Sequence, residues 1–208
     1  MICLQRKGDN TIINNRIDEF LNYTINRLSS IKRYNTRKII IHQSVMEHTG
    51  EVALIGLILS NYFNEQGIQN DTTKVLKMAL IHDMGEVISG DLPHDVKYQH
   101  GKLSDDLRNQ LVAVEDMSMQ YISGLLSSDL TNIMRFDIIS SYNEYKNRKS
   151  VESKIVKLAD FFDVVIYSKN EMKMGNKTMK LELDNATKRA EAILKEIYEY
   201  KQKDELDD

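Results

Sequence analysis

Histidines are the residues in this sequence whose placement first suggests chemistry. The chain has five of them, at His42, His48, His82, His94 and His100. His48 lies in the first turn of an expected helix and His82 near the end of another, each on an otherwise apolar face. Asp83 follows His82 directly. Neighbouring helix positions point about 100° apart, but a long imidazole and a short carboxylate can still reach one ion, so these residues are candidate metal ligands.

Asp160 is the candidate fourth ligand. It lies in Val156-Lys157-Leu158-Ala159-Asp160, in the midst of an apolar helix, where a carboxylate without a partner would be costly. The chain has one cysteine, which excludes a thiolate zinc cluster. Two imidazoles and two carboxylates suit a divalent ion such as manganese, cobalt, iron or zinc, with positions left for water. A His-Asp pair alone is a weak motif, and a purely structural pair is the alternative.

Two further carboxylates follow the His-Asp pair. Glu86 lies about one turn beyond Asp83, and Asp91 lies in Gly90-Asp91-Leu92-Pro93 at the entrance of an expected loop. Hydrolysis at phosphorus needs carboxylates of two kinds, because some bind the metal and others move protons. This crowding favours metal-dependent hydrolysis of a phosphate ester.

The elements that must position these residues are expected to be helices. One proline, nine glycines and helical spacing of the apolar positions predict an all-α fold. Asp71 or Thr72 is expected to cap the third helix, and Ser44 with Glu47 forms a possible capping box. The expected helices cover residues 17–31, 44 to 62 or 63, from 71 or 72 to about 83, 103–126, 130–145, 151–168 and 181–200, with an irregular stretch over 90–101.

Length, composition and charge limit the class of protein. The 208 residues, 41% of them hydrophobic, predict one domain over residues 1–203 and a disordered acidic tail over 204–208. A net charge of −3 argues against binding to polymeric nucleic acid. Apolar stretches far shorter than about 20 residues predict no membrane helix, and polar residues near the N-terminus predict no signal peptide. With a single cysteine, these features favour a cytoplasmic protein.

The motifs around these residues resemble a known family. His48 in Ser44-Val45-Met46-Glu47-His48, the pair His82-Asp83, Glu86 with Gly90-Asp91-Leu92-Pro93 and Val96-Lys97-Tyr98, and Asp160 in Lys157-Leu158-Ala159-Asp160 look like the H…HD…D signature of the HD-domain phosphohydrolases. The resemblance is strongest to the branch that contains the bacterial 5'-deoxynucleotidases, and it spans about residues 31–163. It implies a helical bundle of about six to eight helices.

The resemblance also implies roles for individual residues. One divalent ion, which could be Mn, Co, Fe, Zn or Mg, would be held by His48, His82, Asp83 and Asp160. Glu86 and Asp91 match the family's catalytic carboxylates. Arg33-Tyr34 stands fifteen positions before the first motif histidine, where family members carry an arginine and an aromatic residue. Arg33 and Tyr34 are therefore candidate substrate-binding residues, with tyrosine in place of the tryptophan typical of deoxynucleotidases. Lys97 is a second candidate phosphate contact because of its positive charge.

Three functions remain open from the sequence. The first is a 5'-deoxynucleotidase that releases phosphate from a deoxynucleoside monophosphate, with a role in nucleotide-pool control or salvage. The second is a triphosphohydrolase, for example acting on dATP, for which Arg37 and Lys38 supply extra positive charge. The third is a helical binding protein with a structural metal or none. The resemblance further implies a homodimer or higher homo-oligomer.

Overall fold

The fold is all-α, as the sequence predicts. In the computed structural model, the backbone is described for residues 10–91, 105–126 and 132–207, and side chains for residues 16–91, 109–126 and 132–200. The helices are α1 (Asn10–Ser30), α2 (Val45–Glu65), α3 (Thr72–Ile81), α4 (Glu86–Ser89), α5 (Asp105–Gly124), α6 (Asn132–Asn147), α7 (Val151–Lys173) and α8 (Lys180–Asp207), with a 3-10 turn at Lys177–Met179. Among these residues the only β-type pairing is an isolated bridge between Lys32 and Ser44. None of the described helices is long and apolar enough to cross a membrane.

Most helix boundaries agree with the sequence patterns. The Asp71 side chain caps α3 by accepting hydrogen bonds from the backbone N–H groups of Thr73 and Lys74, which confirms the predicted cap. The helix α7 continues five residues past the predicted end at Ser168. The helix α8 continues to Asp207 and includes four residues of the predicted disordered tail. Lysine, glutamine and glutamate are good helix formers, which accounts for this extension.

The described residues divide into two compact units. One contains the described parts of residues 1–33, 44–46 and 83–140, and the other those of residues 34–43, 47–82 and 141–208. The single domain expected from the sequence stays a prediction.

The second unit has a continuous apolar core. Its buried members come from α2, α3, α6, α7 and α8 and include Val52, Phe63, Val75, Met78, Leu158, Ala159 and Ile197. A Cβ atom at Gly56 of α2 would lie 3.2 Å from Val75 and 3.9 Å from Ala159. Glycine at this position therefore lets α2 approach α3 and α7 closely, and this packing brings together the three helices that carry the candidate ligands.

The first unit packs α1, α4 and α5 against one another. Its buried side chains include Phe20, Leu28, Val87, Met119 and Ile122. Gly85, at the start of α4, has its backbone so near α5 that a Cβ atom there would lie 3.0 Å from the carbonyl oxygen of Glu115. This close approach explains the glycine directly before Glu86.

Candidate functional site

Two buried imidazoles face each other in the second unit. His48 of α2 is fully buried and His82, which follows α3, is 4% exposed. Their Nε2 atoms are 3.3 Å apart, and the two rings meet edge to face with centroids 5.2 Å apart. The ring of Tyr145 packs against His82 from another side. The imidazoles are therefore enclosed and fixed in orientation.

Hydrogen bonds at the other ring nitrogens determine the protonation of both imidazoles. His82 Nδ1 lies 2.7 Å from the carbonyl oxygen of Ala79, and a carbonyl can only accept, so Nδ1 carries the proton. His48 Nδ1 lies 2.6 Å from Asp163 Oδ2. In the neutral rings, both Nε2 atoms then present lone pairs to each other at 3.3 Å. Two facing lone pairs repel unless a cation lies between them, which is how histidines are prepared to bind a metal.

Asp160 adds an oxygen to this pair. Its Oδ1 lies 3.4 Å from His48 Nε2, and its Oδ2 accepts a hydrogen bond from Lys157 Nζ at 2.6 Å. Burial raises the pKa of the Asp160 carboxyl, but the positive charge of the Lys157 ammonium acts against it, and that pKa lies well below its usual range. Asp160 is therefore a carboxylate at neutral pH, as a metal ligand must be.

The donor set fits a divalent ion. Ligand atoms that share one ion at about 2.0–2.2 Å lie roughly 3–3.5 Å apart, and the His82–His48 and His48–Asp160 separations are 3.3 and 3.4 Å. Asp83 follows His82 directly in the chain. The chemistry of the donors, two nitrogens and carboxylate oxygens, matches the expected mixed shell.

Asp163 is a residue of this region that the sequence analysis missed. It is 1% exposed and accepts from His48 Nδ1 at 2.6 Å and from Gln43 Nε2 at 3.3 Å to each oxygen. Gln43 also donates to Glu51 at 2.8 Å. A hydrogen bond with Asp163, burial and the Asp163 charge raise the pKa of Glu51 to about 7. The available signal was a second carboxylate in an apolar stretch of α7, one turn after Asp160.

The connection over residues 34–43 is attached to α7. Tyr34 stacks on Tyr167 with centroids 5.0 Å apart and an interplanar angle of 8°, and the Tyr167 hydroxyl donates to the carbonyl of Ile41. The buried Glu171 carboxylate accepts the backbone N–H groups of Ile40 and Ile41 at 2.9 and 2.8 Å. Burial raises the pKa of Glu171, but these bonds and one from Asn176 lower it below its usual value overall.

The other predicted site residues are placed as follows. Arg33 is half-buried in the turn after α1, and Tyr34 has a positive φ of 57°. Glu86 is buried at the first position of α4, and its backbone N–H donates to the Asp83 carbonyl at 3.0 Å. Asp91 is half-buried beyond the end of α4. Lys97 lies outside the described residues, as do His94, His100 and most of the stretch 90–101.

Comparisons with solved structures define the class of fold. An HD-domain phosphohydrolase from Listeria innocua has a TM-score of 0.69 at 21% identity, covering 89% of this chain and 82% of that one. A conserved hypothetical protein from Pyrococcus furiosus has a TM-score of 0.66 at 24% identity, covering 88% and 98%. The fold is that of the HD-domain phosphohydrolases.

Comparisons of sequence narrow this class to one family. A model of the YfbR-like 5'-deoxynucleotidases matches residues 19–204, and the chain belongs to that family. A 5'-deoxynucleotidase from Klebsiella pneumoniae is 27% identical over 73% of this chain and 72% of its own length. The 5'-deoxynucleotidase HDDC2 of Dictyostelium discoideum is 29% identical over 73% and 77%. The protein is therefore a hydrolase, and HD-domain phosphohydrolases depend on a metal, for which the facing imidazoles of His48 and His82 are suited.

Proposed function

We propose that the protein is a metal-dependent 5'-deoxynucleotidase that converts deoxynucleoside monophosphates to deoxynucleosides and phosphate. The observation that carries the proposal is the pair of Nε2 lone pairs 3.3 Å apart, beside a carboxylate oxygen 3.4 Å from one of them. His48, His82, Asp83 and Asp160 are the proposed ligands of one divalent ion. Membership of the 5'-deoxynucleotidase family supports the substrate class.

The proposed chemistry assigns a task to each group. A bound divalent ion would supply Lewis-acid chemistry towards a phosphate oxygen and a water molecule. Glu86 and Asp91 divide the proton work, since one carboxylate takes a proton from the attacking water and the other gives one to the leaving sugar oxygen. Arg33 offers a planar fork of N–H donors to the phosphate, and Lys97 is a second phosphate contact.

A deoxynucleoside triphosphate is the alternative substrate, and one observation weighs against it. A triphosphate needs more positive charge than a monophosphate, and Arg37 was one of two candidates to supply it. The Arg37 guanidinium lies 2.5 Å from a carboxylate oxygen of Glu182 in α8. That carboxylate already neutralises the charge, so the monophosphate is the better-supported substrate. A cytoplasmic location and a homodimer complete the proposal.

The test uses one protein preparation and two substrate panels. The metal-loaded chain is incubated with deoxy and ribo forms of nucleoside monophosphates and triphosphates, and the released product is identified. We expect inorganic phosphate from the deoxy monophosphates. Release of triphosphate would support the triphosphohydrolase instead. No turnover on either panel with metal bound would support a binding protein, and equal rates on ribo forms would show that the protein does not select the deoxy sugar.

A further inference from the structure

We infer that Asp163 is a positioning residue for the metal, acting through His48, and that Gln43 holds it in place. The inference rests on the proposed function, because it assumes that His48 binds the metal. It concerns a residue that touches neither the ion nor the substrate in this proposal. The two imidazoles of the cluster are oriented differently, since His82 is fixed by the Ala79 carbonyl and His48 by the Asp163 carboxylate.

The Asp163 contact determines which nitrogen of His48 can bind a metal. A neutral imidazole has one N–H donor and one lone pair. Asp163 Oδ2 at 2.6 Å takes the N–H of Nδ1, so the lone pair stays on Nε2, which faces His82 and Asp160. His48 is fully buried, so bulk water has no access to take over the role of Asp163. The negative charge also makes the imidazole a stronger ligand.

Gln43 keeps the Asp163 carboxylate in this orientation. Its Nε2 lies 3.3 Å from both carboxylate oxygens and 2.8 Å from Glu51 Oε2. An amide nitrogen only donates, so both oxygens of Asp163 act as acceptors. Gln43 is 5% exposed, which excludes a loosely held surface contact. The hydrogen bonds run from Gln43 through Asp163 to His48, within one compact unit.

The size of the effect follows from other metal sites. Loss of the partner that orients a metal-binding histidine typically weakens metal affinity by about 10–100-fold. Asp163→Ala should show this loss. Asp163→Asn should lie between Ala and the native chain, because its amide oxygen still accepts from His48 Nδ1 but lacks the charge. The asparagine is nearly isosteric, so it keeps the inference testable if the alanine variant does not fold.

Glu171 provides a matched control on the same helix. It is a fully buried carboxylate eight residues after Asp163 that accepts backbone N–H groups. Glu171→Gln therefore disturbs a buried acidic group of α7 without touching His48. If Glu171→Gln keeps the native metal affinity, a loss in the Asp163 variants is not explained by a general loosening of α7.

The experiment is a titration of the metal-free full chain with Co²⁺ alone, in competition with a coloured chelator, for the native chain and the three variants. We expect losses in the order Asp163→Ala, then Asp163→Asn, with Glu171→Gln within about twofold of the native affinity. The inference would be overturned if both Asp163 variants kept the native Co²⁺ affinity, or if Glu171→Gln lost as much affinity as they did. Either result would leave the proposed function standing. If the native chain binds no Co²⁺, the proposed function fails and the inference fails with it.

Discussion

Metal binding should raise the melting temperature of this protein by an amount that depends on His82. The proposed ligand atoms come from separate helices, and both imidazoles are buried, so the unfolded chain has no equivalent site. A ligand that binds only the folded state stabilises it by about 2.7 kcal/mol at 100 times its Kd. For a chain of this size, about 1 kcal/mol changes the melting temperature by roughly 2–4 °C. The expected increase is therefore about 5–11 °C.

A pair of histidine variants makes this prediction specific. His82→Ala removes one ligand atom, and a 100-fold weaker site would retain only about 0.4 kcal/mol at the same metal concentration, or roughly 1–2 °C. His42→Ala is the matched control, because His42 is exposed and not part of the metal-ligand cluster. Each variant is melted with and without Mn²⁺ or Co²⁺ and compared with its own metal-free form. Equal metal-induced shifts in His82→Ala and the native chain would refute the metal-site argument.

Three further predictions concern catalysis, pH and packing. Asp83→Ala should lose bound metal and turnover together, whereas Glu86→Gln should keep the metal and lose about 10²–10⁴-fold in rate; full turnover in Glu86→Gln would show that this carboxylate moves no proton. Because the folded-state pKa of Glu51 is raised to about 7 from 4.5, its stabilising contribution is complete below pH 4.5 and is lost as the pH rises through 7. The free energy of unfolding of Glu51→Gln, relative to that of the native chain, should therefore increase between pH 5 and 8.5. At so exposed a position the increase should be about 1 kcal/mol at most. A difference in stability that does not change with pH would contradict this. Gly85→Ala should lower the melting temperature, because its Cβ would lie 3.0 Å from a carbonyl oxygen and such overpacking costs about 1–3 kcal/mol. At Gly50 in α2, an added Cβ atom would have nothing within 4 Å. Gly50→Ala should therefore raise the melting temperature, because alanine stabilises a helix interior by about 0.5–1 kcal/mol relative to glycine. A higher melting temperature for Gly85→Ala than for Gly50→Ala would show that the packing argument is wrong.

The sequence predicted what depends on local pattern. Helical periodicity identified the helices, and the Asp71 cap was readable because capping involves residues two and three positions away. His48, His82 and Asp160 were identifiable because each is a polar residue within an apolar helix face. Burial of such a residue requires a partner, and a shared ion is one that all three can have.

Long-range partners could not be predicted in the same way. The contact between His48 and Asp163 joins residues 115 positions apart, and that between Gln43 and Asp163 joins residues 120 apart. Periodicity assigns a residue to a helix face but does not say which residue of another element it meets. The ion pair of Arg37 with Glu182 could not be predicted for the same reason. From the sequence alone, the positive charge of Arg37 and Lys38 suggested a contact with phosphate instead.

One stripe of α7 combines a proposed metal ligand with the side chains that hold a neighbouring connection. Asp160, Asp163, Tyr167 and Glu171 recur at helical spacing, and the last three hold residues 34–43. Surface connections usually tolerate inserted residues, but an insertion between Ile41 and Gln43 would displace one anchor while leaving the others. The length of this connection is therefore constrained by the contacts of Asp163 with Gln43 and His48, and we expect changes in length among relatives to be rare here.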